Sequence, residues 1–156
     1  MKRYKPLFES LLDELKLITS TTGKLNINTV FRTEKSHEAY KGKANYGKGK
    51  YFSLSQEEAI EYTLNPHATH FEKYDPKIHG KIDHYSLLRN TKVIVFNLDD
   101  DKDYDKLENL RKSIKPKDIS EWALENKIDG VVIYTDEFNY GGNQIVIFQH
   151  AIGKVR

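Results

Sequence analysis

The spacing of apolar residues near the start of the chain predicts an amphipathic helix. Leucine, phenylalanine and isoleucine recur at positions 7, 8, 11, 12, 15 and 18, which is the period of one helix face. We therefore expect a helix over about residues 6–18. Its apolar face either packs on the body of the domain or docks onto a partner, and an amphipathic pattern favours packing.

A capping pattern predicts a second helix. Ser55 and Glu58 have the capping-box spacing, in which the serine accepts a hydrogen bond from a free amide and the glutamate reaches back. This helix should begin at about Gln56. Further helices are expected over about residues 104–113, after an acidic turn, and from Pro116–Asp118 onwards, where Trp122 and Leu124 should be buried.

Short runs rich in β-branched and aromatic residues predict strands, and turn-forming residues separate these runs. The overall pattern is that of an α+β domain in which short strands predominate. The predicted strands cover residues 27–32, a short run ending near Ser53, and residues 82–88, 92–98, 130–134 and 144–148, with the last two as sheet neighbours.

Composition narrows the class of protein. The 156 residues suffice for one domain with a single core, and 38% of them are hydrophobic. A formal net charge of +2 argues against a strong electrostatic grip on nucleic acid. The absence of cysteine excludes disulfides and thiolate chemistry and fits a reducing cytosol. No apolar run is long enough to cross a bilayer, so we expect a cytoplasmic protein without membrane contact.

The segment from Tyr46 to Tyr62 carries the most specific pattern. Gly47 and Gly49 allow a sharp turn or a close approach to a ligand, because neither residue has a Cβ. A short strand and a helix follow, so Tyr51 and Tyr62 can approach the same pocket. Two aromatic faces there would hold a flat cationic ring. In the alternative interpretation, the tyrosines only pack against the core.

This segment resembles the nicotinamide-binding core of the ADP-ribosyltransferases, most closely the poly(ADP-ribose) polymerase and diphtheria-toxin branch. In that family two tyrosines at this spacing hold the nicotinamide of NAD, and the resemblance places Phe52 and Ser53 beside them. Lys50 stands where the family usually has an apolar residue, and Ala59 where it usually has a serine. The matching residues are Tyr46, Gly47, Lys48, Gly49, Tyr51, Phe52 and Tyr62.

Two flanking runs extend the resemblance. Val30-Phe31-Arg32-Thr33 is similar to the family's first motif, which implies that Arg32 contacts the adenosine ribose or a phosphate. A guanidinium suits this role because it offers several donors. The backbone of Thr33, where the family has glycine, would bond the carboxamide. Residues 143–148 resemble the third motif, with residues 135–142 as the acceptor-recognition loop.

The main departure from the family is Gln144, which replaces the catalytic glutamate. That glutamate bonds the nicotinamide ribose and stabilises positive charge on the sugar as nicotinamide leaves. A unit charge about 4 Å away is worth roughly 4 kcal/mol at an effective dielectric near 20, which is about three orders of magnitude in rate. Glu137, in the preceding loop, or a carboxylate of the substrate protein would be a substitute.

The resemblance implies an ADP-ribosyltransferase-like split β core, mostly antiparallel, over residues 25–156, after an N-terminal helix and turn over residues 1–24. The activity that the resemblance implies is mono-ADP-ribosyl transfer from NAD, the co-substrate, to a protein or nucleic-acid acceptor, or hydrolysis of NAD to nicotinamide and ADP-ribose. No metal is expected, because His67, His70, His79 and His84 match no metal motif. The alternative is a catalytically weak or inactive module of this fold. Short single-domain relatives resemble bacterial toxins and phage-encoded or virion-associated proteins.

Overall fold

A computed structural model describes residues 7–33, 46–63, 73–136 and 143–156 of the chain. In this part of the chain, seven strands form one mixed sheet. The strand order is β1-β5-β6-β7-β3-β2-β4. Only β5 and β6 run parallel, and every other neighbouring pair is antiparallel. The expected α+β class with a mostly antiparallel sheet is therefore confirmed.

The strands are β1 (Ile18–Thr21), β2 (Thr29–Thr33), β3 (Gly49–Ser53), β4 (Ile82–Ser86), β5 (Lys92–Asn97), β6 (Gly130–Tyr134) and β7 (Gln144–Phe148). The helices are α1 (Leu7–Glu14), α2 (Gln56–Thr63), α3 (Pro76–His79), α4 (Asp101–Ile114) and α5 (Ile119–Glu125), followed by a 3-10 helix (Gln149–Lys154). None of these helices is long and apolar enough to span a membrane.

Alternation of side chains along the strands divides the core between two faces of the sheet. Tyr51, Val146 and Phe148 contribute to a cluster on the first face, which α4 and α5 cover with Leu107, Trp122 and other buried side chains. On the second face, the cluster contains Val30, Phe52, Val93, Val132, Ile145 and Ile147, together with Ala151 of the 3-10 helix.

Strands β3 and β2 are joined by fewer residue pairs than any other neighbouring strands of the described sheet. Five residue pairs join β3 to β7, whereas Phe31 and Ser53 form the one pair that joins β2 to β3. Beyond this pair the Arg32 side chain takes the place of a ladder bond, because its Nη1 donates to the backbone carbonyl of Tyr51 at 3.0 Å. The described strands thus form one sheet in which a single residue pair joins β3 to β2, and the expected split β core stays a prediction.

The first helix is shorter than predicted, and a strand follows it that the pattern did not indicate. Helix α1 ends at Glu14, since Lys16 adopts a left-handed φ of 53° that stops the helix. Ile18 already belongs to β1, which pairs with β5. Leu11 is buried in the first-face cluster, so this region belongs to the same sheet and core as the rest of the chain.

Two expectations about the later helices were wrong. Helix α4 begins at Asp101 rather than near residue 104, because the Asp100 side chain caps it by accepting from the Lys102 amide at 2.9 Å. Leu124 is 57% exposed, although Trp122 is buried as predicted. Helix α5 buries the face that carries Ile119, Trp122 and Ala123, and Leu124 lies outside it.

The different burial of Leu107 and Leu124 predicts that truncating each to alanine lowers the free energy of unfolding by different amounts. Leu107 is 2% exposed, so Leu107→Ala should lower the free energy of unfolding by about 2–5 kcal/mol by opening a cavity. Leu124→Ala should change it by less than about 1 kcal/mol, since little apolar surface leaves the core. Urea denaturation of both variants measures the difference, and equal losses would contradict the packing described for α5.

Candidate functional site

The three strands that carry the predicted motifs are consecutive neighbours in the sheet. Strand β3 lies between β7 and β2. Ser53 of β3 is opposite Gln144 of β7 on one side and opposite Phe31 of β2 on the other. Residues opposite each other across a sheet share a face, so the side chains of Ser53, Gln144 and Phe31 lie on the same face of the sheet.

The same alternation separates Arg32 from this group. Tyr51 and Ser53 lie on the first face with Gln144, whose neighbour Ile145 belongs to the second. Arg32 pairs with Asp83 and follows Phe31, so it starts from the second face. Its guanidinium donates to the Tyr51 carbonyl in the gap between β2 and β3. The structure therefore places Tyr51, Ser53 and Gln144 on one face, from which Thr33 also starts, whereas Arg32 and the buried Phe52 start from the other.

The glycine turn is required by packing as well as by conformation. Gly47 has a φ of 100°, a conformation that L side chains rarely adopt. A Cβ on Gly47 would also overlap the Ser120 hydroxyl and lie 2.8 Å from Asp118 Oδ1, at the start of α5. The Lys48 amide donates to that hydroxyl at 3.2 Å. The turn is thus docked against α5, which fixes where β3 begins.

The Tyr51 hydroxyl closes the same turn. It accepts from the Tyr46 amide at 2.9 Å and donates to the Gly47 carbonyl at 3.1 Å. The Tyr46 ring lies 6.3 Å from the Tyr51 ring, and the Arg111 guanidinium lies 5.2 Å above the Tyr46 ring. Burial raises the pKa of Tyr51 to about 12. The ring is half-buried and held at its polar end, so its orientation is fixed.

Glu58 joins α2 to the start of β7. The Glu58 amide donates to the Ser55 hydroxyl at 3.1 Å, as the capping pattern predicts. The Glu58 carboxylate, however, accepts from the Ser55 hydroxyl at 2.9 Å and from the Asn143 backbone amide. The sequence pattern predicts only the helix-capping role of Glu58. Its contact with Asn143 spans 85 positions along the chain, and no local pattern could have indicated it.

Polar groups continue along this end of the sheet, where β5 and β6 end and β7 begins. Asn143 Oδ1 accepts from the Thr135 amide at 2.8 Å. The Asp99 carboxylate accepts from the Thr135 hydroxyl at 3.1 Å and from the Asp136 amide at 2.8 Å. These bonds hold the two ends of the connection between β6 and β7, where the resemblance placed acceptor recognition.

Several predicted residues lie outside the described part of the chain. Glu137 belongs to residues 137–142, and His67 and His70 belong to residues 64–72. The backbone of Tyr62 is in α2, but its side chain is not described. His84 is exposed on β4. Within residues 7–33, 46–63, 73–136 and 143–156, no three histidine or carboxylate side chains are grouped closely enough to hold a metal ion.

Chemically, the arrangement offers a fixed aromatic ring, a hydroxyl and a primary amide on one face. A half-buried amide such as that of Gln144 can bond a sugar hydroxyl but carries no charge. Comparisons of the chain with protein-family models, curated proteins and solved structures found no match. The interpretation of the site therefore rests on its residues and their geometry.

The bonds of the Tyr51 hydroxyl predict a specific effect on stability. Tyr51→Phe should lower the free energy of unfolding by about 1–3 kcal/mol near neutral pH, because two backbone groups lose a partner. Tyr104→Phe is the matched control, since Tyr104 is 41% exposed and its change should be near zero. Denaturation followed by tryptophan fluorescence at Trp122 measures both.

The pKa of Tyr51 adds a pH dependence with a definite sign. Its folded-state pKa of about 12 lies above the ordinary value of 10.0, so the folded chain keeps the phenol proton more tightly. This contribution to stability is complete below pH 10 and is lost as the pH rises towards 12. The difference in the free energy of unfolding between the unsubstituted protein and Tyr51→Phe should shrink across that window. A difference that stays constant would contradict the burial of the phenol.

Proposed function

We propose that this protein binds NAD at the β7-β3-β2 junction and cleaves its nicotinamide–ribose bond. It would act as a mono-ADP-ribosyltransferase towards a protein or nucleic-acid acceptor, or as an NAD glycohydrolase. The observation that carries the proposal is the register of Phe31, Ser53 and Gln144 across three adjacent strands. Three motifs that are far apart in the sequence thereby meet at one surface.

The fit of the nicotinamide end rests on Tyr51 and Thr33. The Tyr51 ring is held at its hydroxyl, so stacking on a pyridinium ring would cost little side-chain entropy. Thr33 starts from the same face, across the gap where β2 and β3 separate. Its backbone would bond the carboxamide. We also propose that Tyr62 and Ser53 complete the cofactor-binding set, whereas Phe52, which the resemblance placed beside them, is buried in the second-face core and supports the strand from below.

Arg32 has a different role in this proposal from the one that the resemblance implied. Its Nη1 bond to the Tyr51 carbonyl holds β2 and β3 together beside the pocket. A guanidinium has five N–H donors. Contact with a ribose or phosphate of NAD would therefore come from its other nitrogens within the gap and would leave the strand junction intact.

In the proposed reaction the bond between ribose C1′ and the pyridinium nitrogen breaks. Nicotinamide leaves with the bonding electron pair as a neutral molecule, and positive charge develops on the ribose. Water or an acceptor nucleophile then bonds to C1′ and loses a proton to solvent or a nearby base. Gln144 would bond the ribose hydroxyl and orient the sugar, as carboxylates do in glycoside hydrolysis, but without their charge.

A second function is a binding or structural module of this fold without turnover. Two observations favour it, namely the neutral side chain at Gln144 and the use of the Tyr51 hydroxyl to close the glycine turn. Such a module would use the surface for a partner rather than for NAD. Measurement of NAD binding separates the two proposals.

Truncation of the stacking ring tests the location of the pocket. Tyr51→Ala should weaken NAD binding by about tenfold, the size of a cation–π contact on a partly desolvated ring, and should lower nicotinamide release at sub-saturating NAD by about the same factor. Tyr104→Ala is the matched control, because Tyr104 lies on α4 with an exposed ring. Calorimetric titration with NAD gives the affinities, and melting curves establish that both variants fold. Unchanged affinity in Tyr51→Ala would place NAD elsewhere.

Restoring a carboxylate tests the electrostatic argument. Gln144→Glu should raise the rate of nicotinamide release by up to about three orders of magnitude, because a negative charge then faces the developing positive charge. Gln149→Glu is the control, since Gln149 is exposed in the 3-10 helix and its substitution adds the same charge. Chromatographic assay of nicotinamide measures both. The absence of any gain in the first variant would overturn the role given to Gln144.

A further inference from the structure

We propose that Glu58 is a positioning residue that holds Gln144 in place and supplies the negative charge that position 144 lacks. This inference rests on the proposed NAD-cleaving function. It differs from the sequence-based expectation that Glu137 substitutes for the missing glutamate. The bonds of Glu58 to Ser55 and Asn143 carry it.

Glu58 continues the β3–β7 ladder where β3 leaves the sheet. The last ladder contact is the Leu54 amide, which donates to the Asn143 carbonyl at 3.1 Å. The chain then turns at Ser55 into α2 and offers β7 no further strand. The Asn143 amide would be left without a strand partner, and the Glu58 carboxylate accepts its hydrogen bond instead.

Asn143 is consequently held on three sides. Its amide donates to Glu58, its carbonyl accepts from Leu54, and its side-chain oxygen accepts from Thr135. Of these three partners only Glu58 carries a charge. Since Asn143 directly precedes Gln144, these bonds fix the backbone from which the Gln144 side chain starts.

The charge of Glu58 is also fixed in space. One carboxylate oxygen bonds the Ser55 hydroxyl and the other bonds the Asn143 amide, and the side chain is half-buried. A charge held in this way needs no reorganisation when positive charge develops nearby. Within the part of the chain that the structure describes, a carboxylate at the junction thus comes from α2, whereas β7 carries none. A second one at position 144 would face it as a like charge.

This placement predicts a coupling between positions 58 and 144. Glu58→Gln should reduce the kcat of nicotinamide release by about 10–100-fold, with little change in the KM for NAD. Glu61→Gln is the matched control, an exposed glutamate of the same helix, and should leave kcat unchanged. In a Gln144→Glu background the loss of kcat caused by Glu58→Gln should be about tenfold smaller, because the carboxylate at position 144 still supplies a negative charge.

A residue that only caps α2 gives a different result. Glu58→Gln would then lower the melting temperature, and any loss of kcat would be equal with glutamine or glutamate at position 144. That additivity would overturn the inference even if the enzyme cleaves NAD. Rescue of kcat by Glu58→Asp would support it, since a shorter carboxylate keeps the charge.

The coupling can also be measured without turnover. In the Gln144→Glu variant, the pKa of the introduced carboxyl, read by carbon-13 NMR, should lie above the ordinary value of about 4.3. Adding Glu58→Gln should lower it by at least about half a unit. A difference below about 0.2 units would overturn the inference, whatever the activity. If the titrations are coupled but the unsubstituted chain neither binds NAD nor releases nicotinamide, the proposed function fails, and the catalytic role of Glu58 fails with it.

Discussion

The candidate site depends on the placement of strand β3 between β7 and β2. Among the described strands, β3 is the link between the four strands β1-β5-β6-β7 and the pair β2-β4. The glycine turn fixes its beginning, because Gly47 packs against Ser120 where no side chain would fit. Glu58 fixes its end by bonding Asn143. These two restraints therefore determine the positions of Tyr51 and Ser53, which lie between them.

The same placement determines which charged and neutral side chains lie at the site. Gln144 lies beside Ser53 where the resemblance expects a glutamate, and the Glu58 carboxylate bonds the Asn143 amide at this end of β7. Arg32 is drawn into the strand junction by its bond to Tyr51. In the proposed reaction, the rate of nicotinamide release would therefore depend on how much negative charge Glu58 provides.

The strands and helices with a clear period could be predicted from the sequence, and those that depend on tertiary contacts could not. Strands β6 and β7 are continuous apolar runs, and α2 has its serine cap, so local residues specify them. Strand β1, with the sequence Ile-Thr-Ser-Thr, resembles a polar turn and is a strand only because β5 pairs with it. The end of α1 depended on the backbone of Lys16.

The candidate site shows the same division. The sequence pattern predicted the glycine turn, the strand that carries Tyr51 and the helix that follows, because these are local features. It could not show that Arg32 starts from the opposite face, since that depends on register with β3 and β4. Nor could it assign Glu58 to β7, because the partner amide lies 85 positions away.

The most direct test of the central claim is a titration of the isotopically labelled protein with NAD, followed by amide NMR. We expect the largest chemical-shift changes at the β7-β3-β2 junction, at the amides of Thr33, Ser53, Asn143 and Gln144. Amides on β1, at the far edge of the sheet, should not move. Absence of shifts at millimolar NAD, or shifts confined to another surface, would contradict an NAD site at this junction.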